Sequence, residues 1–285
     1  MGEPDGPRRP LGRGELVALL ERHGLRPSRA LGQNFLVDPN VAERIVRLSG
    51  VGPEAKVVEI GAGLGSLTLA LAAAGARVVA VEIDRRLLPL LSDVVSAAGV
   101  EVLEEDALTL GWAGALEGSG WHLVANLPYN IATPLVLEVL EKVPAVAQLL
   151  VMVQREVAER LAARPGSKAY GAVSVRAAYF ATARLSGYVP ASVFVPRPKV
   201  ESALLQLARR PEPAVSHQVA SYEEINLLVG LGFSGRRKML RRSLAGRVSE
   251  ESFARAGISP TSRPEELSIE EWGRLADAVR QGEER

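Results

Sequence analysis

Val57-Val58-Glu59-Ile60-Gly61-Ala62-Gly63-Leu64-Gly65 is the stretch that decides the fold. A short apolar, mostly β-branched run predicts a buried strand, and three glycines at alternate positions predict a tight turn. An apolar helical pattern follows at 66–74. The same strand, turn, helix rhythm then repeats. Strands are expected at 56–60, 77–82, 100–103, 121–125 and 148–153, and helices at 66–74, 84–97, 133–141 and 155–163. Apolar strands alternating with helices imply a parallel sheet covered on both faces. A further helix at 170–180 and strands near 184–189 and 202–208 complete the sheet, the last pair as an antiparallel edge. The expected class is therefore α/β, a doubly wound, mainly parallel, Rossmann-like sheet.

Upstream, Leu16, Leu19 and Leu20 have helical spacing in a segment ending near Gly24, and Asp38-Pro39 opens a second helix with Asp38 as N-cap. Downstream, Arg209-Arg210-Pro211-Glu212-Pro213 reads as a linker, and beyond it only helical patterns follow. Two begin with capping boxes, Ser221…Glu224 and Ser268…Glu271. The expected domains are 1–208, carrying the sheet with a loose tail over 1–13, and a smaller all-helical domain over 209–285.

Composition narrows the function. With 47% apolar and 24% charged residues in 285, the chain reads as an ordinary soluble globular protein. No apolar run approaches the length that spans a bilayer, and Met1 to Arg13 is polar and rich in Pro and Gly, so a cytoplasmic protein is expected. The absence of cysteine excludes disulfides, zinc–thiolate sites and thiol nucleophiles. His23, His122 and His217 are scattered, so no metal is expected. Net charge is only +1, but six basic residues and no acidic one fall between Phe233 and Arg247. That segment is a candidate phosphate-gripping surface.

In a doubly wound sheet, ligands sit beyond the carboxyl ends of the strands. Four segments fall there: the Gly61 turn, Glu82, Asp106 and the turn Asn126-Leu127-Pro128-Tyr129. The glycines at 61, 63 and 65 place the third one residue earlier than a dinucleotide fingerprint does, which suits a smaller cofactor such as S-adenosylmethionine. Glu82 closes the second strand, where an acid accepts from both ribose hydroxyls. Its plainer reading is a solvated carboxylate, and that of Asp106 is a turn cap. For Asn126-Leu127-Pro128-Tyr129, a turn with a buried Tyr competes with a chemical role. An exocyclic base amine is a poor nucleophile, because its lone pair is delocalised into the ring. An Asn126 side-chain oxygen and the Leu127 carbonyl, aimed at its hydrogens, would draw it toward tetrahedral geometry. Pro128 stiffens the turn, and Tyr129 offers a face for an extruded base.

These segments, taken in order, resemble the ribosomal RNA adenine N6,N6-dimethyltransferase family of the bacterial KsgA type, from about Leu31 to the C-terminus. Gly32-Gln33-Asn34-Phe35-Leu36, Glu59 to Thr68, Val81-Glu82-Ile83-Asp84, Asp106-Ala107-Leu108, Asn126 to Asn130 and Phe194 to Ser202 carry the resemblance. It implies a cofactor, S-adenosylmethionine, held by Asn34, Leu36, Gly61, Gly63, Gly65, Glu82, Asp106 and Asn126. It implies catalytic roles for Asn126, Leu127, Pro128 and Tyr129, with Phe194 as a second wall of the base pocket. Phe233-Ser234-Gly235-Arg236-Arg237-Lys238 resembles the family's Arg-Arg-Lys helix, so Arg236, Arg237, Lys238, Arg241 and Arg242 are expected on one helix face toward RNA. The implied activity is dimethylation of adjacent adenosines in small-subunit (16S) ribosomal RNA, with a role in ribosome biogenesis. The implied partner is the small ribosomal subunit, and the protein is expected to act as a monomer without metal or membrane. A large-subunit methylase of the macrolide-resistance type and a mainly non-catalytic assembly factor remain the alternatives.

Overall fold

A computed structural model describes residues 9–235 and 238–283. The first elements are α1 (Arg13–Arg22), β1 (Phe35–Leu36), α2 (Pro39–Ser49), β2 (Lys56–Ile60), α3 (Ser66–Ala73), β3 (Arg77–Glu82), α4 (Leu88–Val95) and β4 (Glu101–Glu104). Then come α5 (Trp112–Ala115), β5 (Trp121–Asn126), α6 (Ala132–Lys142), β6 (Val146–Gln154), α7 (Arg155–Leu161), α8 (Ala172–Phe180) and β7 (Ala181–Val189). The rest are β8 (Phe194–Val195), β9 (Ser202–Arg209), α9 (Tyr222–Ser234), α10 (Leu240–Ser243), α11 (Glu250–Ala256) and α12 (Ile269–Glu283).

Seven strands form one sheet in the order β4-β3-β2-β5-β6-β9-β7. From β2 the chain steps outward through β3 to β4, then returns to place β5 on the other side. That reversal puts the switch point of a doubly wound sheet between β2 and β5, which pair in parallel through Val57↔His122 and Val58↔Leu123. The two expected last strands lie together at one edge: β9 runs antiparallel to β6, from Gln148↔Ala208 to Gln154↔Ser202, with β7 outside it.

The strands form where they do because both faces are covered. Val57, Val58 and Ile60 of β2 are buried, as are Leu149 to Val153 of β6. On one face Ala42, Ile45 and Val46 of α2 pack with Leu67, Ala70 and Leu71 of α3 over Val57 and Val78. Burying one such aliphatic side chain stabilises by roughly 1.5–3 kcal/mol. The start of α2 is set by Asp38, whose side chain accepts from the Asn40 N–H, with Pro39 in the first turn. Its end is set by Gly50 in the left-handed region.

By its contacts the chain divides into two units, one of residues 1–158 and 184–208, the other of 159–183 and 209–285. The break at 209 coincides with the expected linker, but 159–183 groups differently from the expectation of 1–208. The reason is burial: Tyr170, Val175 and Tyr179 share a core with Tyr222, Ile225, Leu228, Phe253 and Trp272. The Tyr170 hydroxyl donates to the Leu267 carbonyl at 2.9 Å. Both expected capping boxes form, Ser221 with Glu224 and Ser268 with Glu271.

The basic segment is not the continuous helix expected. α9 ends at Ser234 with Gly235 as its C-cap, Met239 is extended, and α10 is only four residues long. Leu240 is fully buried and its N–H donates to the Ser262 carbonyl, which turns the chain out of the α9 direction. Arg236 and Arg237 lie outside the described residues.

Candidate functional site

The turns after β2 and β5 meet over the switch point and line a cavity of about 230 Å³. Two glycines permit the approach. Gly61 has φ +73°, and a Cβ there would stand 3.3 Å from Pro128 Cδ. Gly63 has φ +61°, and its Cβ would stand 3.0 Å from the Phe35 ring. Any other residue would have to adopt the left-handed region and push back a wall of the cavity.

Glu82 anchors the glycine turn. Its Oε2 accepts the Gly63 N–H at 2.8 Å and its Oε1 accepts the Asp84 N–H at 2.9 Å. The side chain is 5% exposed and borders the cavity. Burial raises its pKa, and the N–H groups of Asp84 and Gly63 oppose that rise. Each carboxylate oxygen retains a second lone pair, so the group can still accept from a ligand. Asp106 also lines the cavity, with Oδ1 accepting the Leu108 N–H at 2.9 Å. It is thus the cap of its own turn and a cavity residue at once.

Asn126, at the end of β5, donates from Nδ2 to the Asn34 carbonyl at 2.9 Å. With the amide nitrogen committed there, Oδ1 is the acceptor that remains. The Leu127 N–H donates to the Met152 carbonyl at 3.1 Å, and the Leu127 carbonyl has no donor among the described residues. Two acceptors therefore stand one residue apart in a turn pinned to β6. Tyr129 lies half-buried beside them, its hydroxyl 2.7 Å from Ser202 Oγ in a hydrogen bond. Burial raises the Tyr129 pKa against the lowering effect of that bond, so the phenol stays neutral at ordinary pH.

The structure brings Asn34, Leu36, Gly61, Gly63, Glu82, Asp106, Asn126, Leu127, Pro128 and Tyr129 to this one cavity. Gly65 stands just behind it as the N-cap of α3, with φ +82°. Phe194 does not line it. That ring is fully buried, in a core with Leu36, Val193 and Leu204. Its backbone supports the cavity wall indirectly, because β8 pairs antiparallel with β1 through Leu36↔Phe194 and Phe35↔Val195, and Phe35 and Leu36 line the cavity. Lys238, Arg241 and Arg242 are exposed, belong to the second unit, and form no ion pair with a described residue. No group of three His, Cys, Asp or Glu among the described residues is placed to hold a metal ion.

Two cavity residues had not been singled out from the sequence. Glu59 is fully buried, and its Oε2 has no hydrogen-bond partner among the described residues. Burial pushes its pKa up to about 8, with the Thr68 hydroxyl opposing and the Glu82 charge adding to the rise. An acid inside an otherwise apolar β-branched run was the available signal. Gln33 bridges two segments: Nε2 donates to Asp84 Oδ2 at 2.8 Å, and Oε1 accepts the Ser28 N–H at 2.7 Å. Asp84 is held down to about 2, chiefly by its hydrogen bonds from Arg86. A buried carboxyl with one oxygen unpartnered, which an ammonium group would draw into its charged form, a buried acceptor for a diol and a glycine cradle on one wall fit a cofactor with an ammonium, a ribose and no phosphate.

A parallel sheet with this switch point, a glycine turn and an Asn-Leu-Pro-Tyr turn side by side is the fold of the Rossmann-like methyltransferases. The solved structure of the 23S rRNA methyltransferase ErmE is similar, with TM-score 0.68 and 27% identity over 87% of this chain and 100% of that one. A dimethyladenosine transferase from Plasmodium falciparum shares the fold, with TM-score 0.70 and 23% identity over 85% of this chain and 95% of that one. The model of the family "Ribosomal RNA adenine dimethylase" matches residues 25–281. Similar relatives are the ribosomal RNA small subunit methyltransferases A of Kineococcus radiotolerans and Streptomyces griseus. The first is 46% identical over 90% of this chain and 88% of the relative, the second 45% over 96% of each. The chain belongs to the ribosomal RNA adenine dimethylase family.

Proposed function

We propose that this protein uses S-adenosylmethionine to dimethylate the exocyclic N6 of adjacent adenosines in small-subunit ribosomal RNA, and so takes part in assembling that subunit. The carrying observation is the bond from Asn126 Nδ2 to the Asn34 carbonyl, which leaves Oδ1 as an acceptor beside the Leu127 carbonyl. The greater identity to relatives named for the small subunit than to the 23S enzyme supports the choice of RNA.

In this reading Glu82 holds the cofactor ribose, Glu59 its ammonium group, and Asp106 its adenine amine. Asn34 and Leu36 close the near wall, and the Gly61–Gly65 turn allows close approach. Bound there, S-adenosylmethionine supplies an electrophilic methyl group. Asn126 Oδ1 and the Leu127 carbonyl accept the hydrogens of the target amine and free its lone pair for attack. As positive charge develops on that nitrogen, the same two dipoles stabilise it without reorganising. An amide takes up no proton at neutral pH, so the proton released passes to water. Pro128 keeps the carbonyl aimed, and Tyr129 stacks on the extruded base. The displacement is in line, so positioning supplies much of the rate. Phe194 contributes from behind, by fixing the β1–β8 ladder rather than by facing the base.

Lys238, Arg241 and Arg242, with Arg236 and Arg237 in the same stretch, are the proposed contacts to RNA phosphates. The test is transfer of labelled methyl groups to separated ribosomal subunits, followed by digestion to nucleosides. Dimethyladenosine in small-subunit RNA is the expected product.

A further inference from the structure

Tyr129 as a stacking face needs only a ring, and phenylalanine would provide the same one. The structure nonetheless gives its hydroxyl a specific partner, Ser202 Oγ, at 2.7 Å. Ser202 is the first residue of β9 and is fully buried. It is fixed on both sides: its register partner is Gln154 of β6, and the preceding Glu201 carbonyl accepts the Arg155 N–H at 3.0 Å. The same strand β6 holds the catalytic turn, through Met152 and the Leu127 N–H. Tyr129 is thus tied to two paired strands, by its backbone through Leu127 to β6 and by its tip through Ser202 to β9. A ring held only at its Cα could swing about χ1 and χ2, and holding the tip removes that freedom before a base arrives.

We propose that Ser202 is a positioning residue for the target base: its hydroxyl locks the Tyr129 ring in the orientation on which the adenine stacks. The proposal rests on the stacking role given to Tyr129 above. It adds a role for the hydroxyl to the stacking face that the sequence suggests. Ser202 does not line the cavity, so its effect reaches the reaction through Tyr129.

Two variants break the same bond from opposite sides, Ser202→Ala and Tyr129→Phe. With labelled S-adenosylmethionine and small ribosomal subunits, each should lower kcat about three- to tenfold, the range of one ordinary hydrogen bond. Cofactor Kd by calorimetry and KM for the particle should stay within twofold, because neither the ribose site nor the basic segment changes. The double variant should be no slower than either single one, since the second substitution removes a bond already gone. Wild-type kcat in Tyr129→Phe would overturn the proposal even if Ser202→Ala failed to fold. So would a double variant whose loss is the product of the two single losses, or a loss of cofactor affinity equal to the loss of rate. Tyr129→Ala separates this from the stacking role itself: if it too turns over normally, the function assigned to Tyr129 fails and not merely its anchor.

Discussion

Replacing Glu82 by alanine probes the cofactor site most sharply, because that one carboxylate does two jobs. Its oxygens hold the Gly63 and Asp84 N–H groups at 2.8 and 2.9 Å, and its remaining lone pairs face the cavity. Removing a charge-assisted acceptor from the ribose hydroxyls costs roughly 1.5–3 kcal/mol, or about tenfold to a hundredfold in cofactor Kd. The two backbone donors left without Glu82 add a folding cost of about 1–3 kcal/mol each where water does not replace it. Titration calorimetry with S-adenosylmethionine reads the first effect, and thermal unfolding without cofactor reads the second. Glu82→Gln should fall between wild type and alanine, since an amide keeps one acceptor oxygen but opposes its nitrogen to an N–H donor. Burial raises the Glu82 pKa, so as pH is lowered the wild-type affinity should begin to fall at a higher pH than that at which an exposed carboxylate protonates. An alanine variant that binds the cofactor within twofold of wild type would refute the ribose assignment. One that loses affinity only in proportion to its instability would reduce Glu82 to a loop brace.

Asn126→Ala should lower kcat about 10²–10³-fold, by analogy with removal of one preorganised oxyanion-hole donor, while cofactor Kd stays within a few-fold; near wild-type turnover would show the turn to be misassigned. Glu59 has a folded pKa of about 8 against an ordinary 4.5, so the native state binds the extra proton between those values. Cofactor-free stability should therefore fall as pH rises through that window, at up to about 1.4 kcal/mol per pH unit. Glu59→Gln should flatten the slope in thermal unfolding, and an unchanged slope would move the titration elsewhere. Changing Lys238, Arg241 and Arg242 together to Gln should weaken binding to small subunits and lower the salt slope by roughly 0.7–0.9 for each phosphate no longer neutralised. Filter binding across a salt series checks this, and a slope equal to wild type would make the segment a solvated face.

The sheet was legible because parallel strands covered on both faces read as apolar runs, as in Val57-Val58 and Leu149 to Val153. The Asn126 turn was legible because its position after a strand, not its four letters, carries the meaning. Other features depend on partners far along the chain. The ladder that joins Leu36 to Phe194 is two residues long and links segments more than 150 positions apart, so no local pattern announces it. Phe194 is different: a ring in a Pro-stiffened loop is more often core than ligand, and only the family resemblance placed it at the base pocket, whereas the ring is buried. A helix at 170–180 was legible, but not that Val175 and Tyr179 would bury its face against Tyr222 and Ile225. The basic stretch looked helical because charge spacing was read without the stop signal: Gly235 ends α9 just before it. Ser202 gave no signal of its own, since a serine opening a strand is common and its partner lies 73 positions away.

The most direct test of the activity is a product analysis on separated ribosomal particles. Small and large subunits whose RNA lacks base methylation would be incubated with the protein and methyl-labelled S-adenosylmethionine. Their RNA would then be digested to nucleosides and resolved by chromatography and mass spectrometry. The structure and the family predict label in N6,N6-dimethyladenosine from the small subunit, abolished in the Asn126→Ala variant. Label confined to large-subunit RNA, label in another nucleoside, or no transfer to either particle would contradict that account.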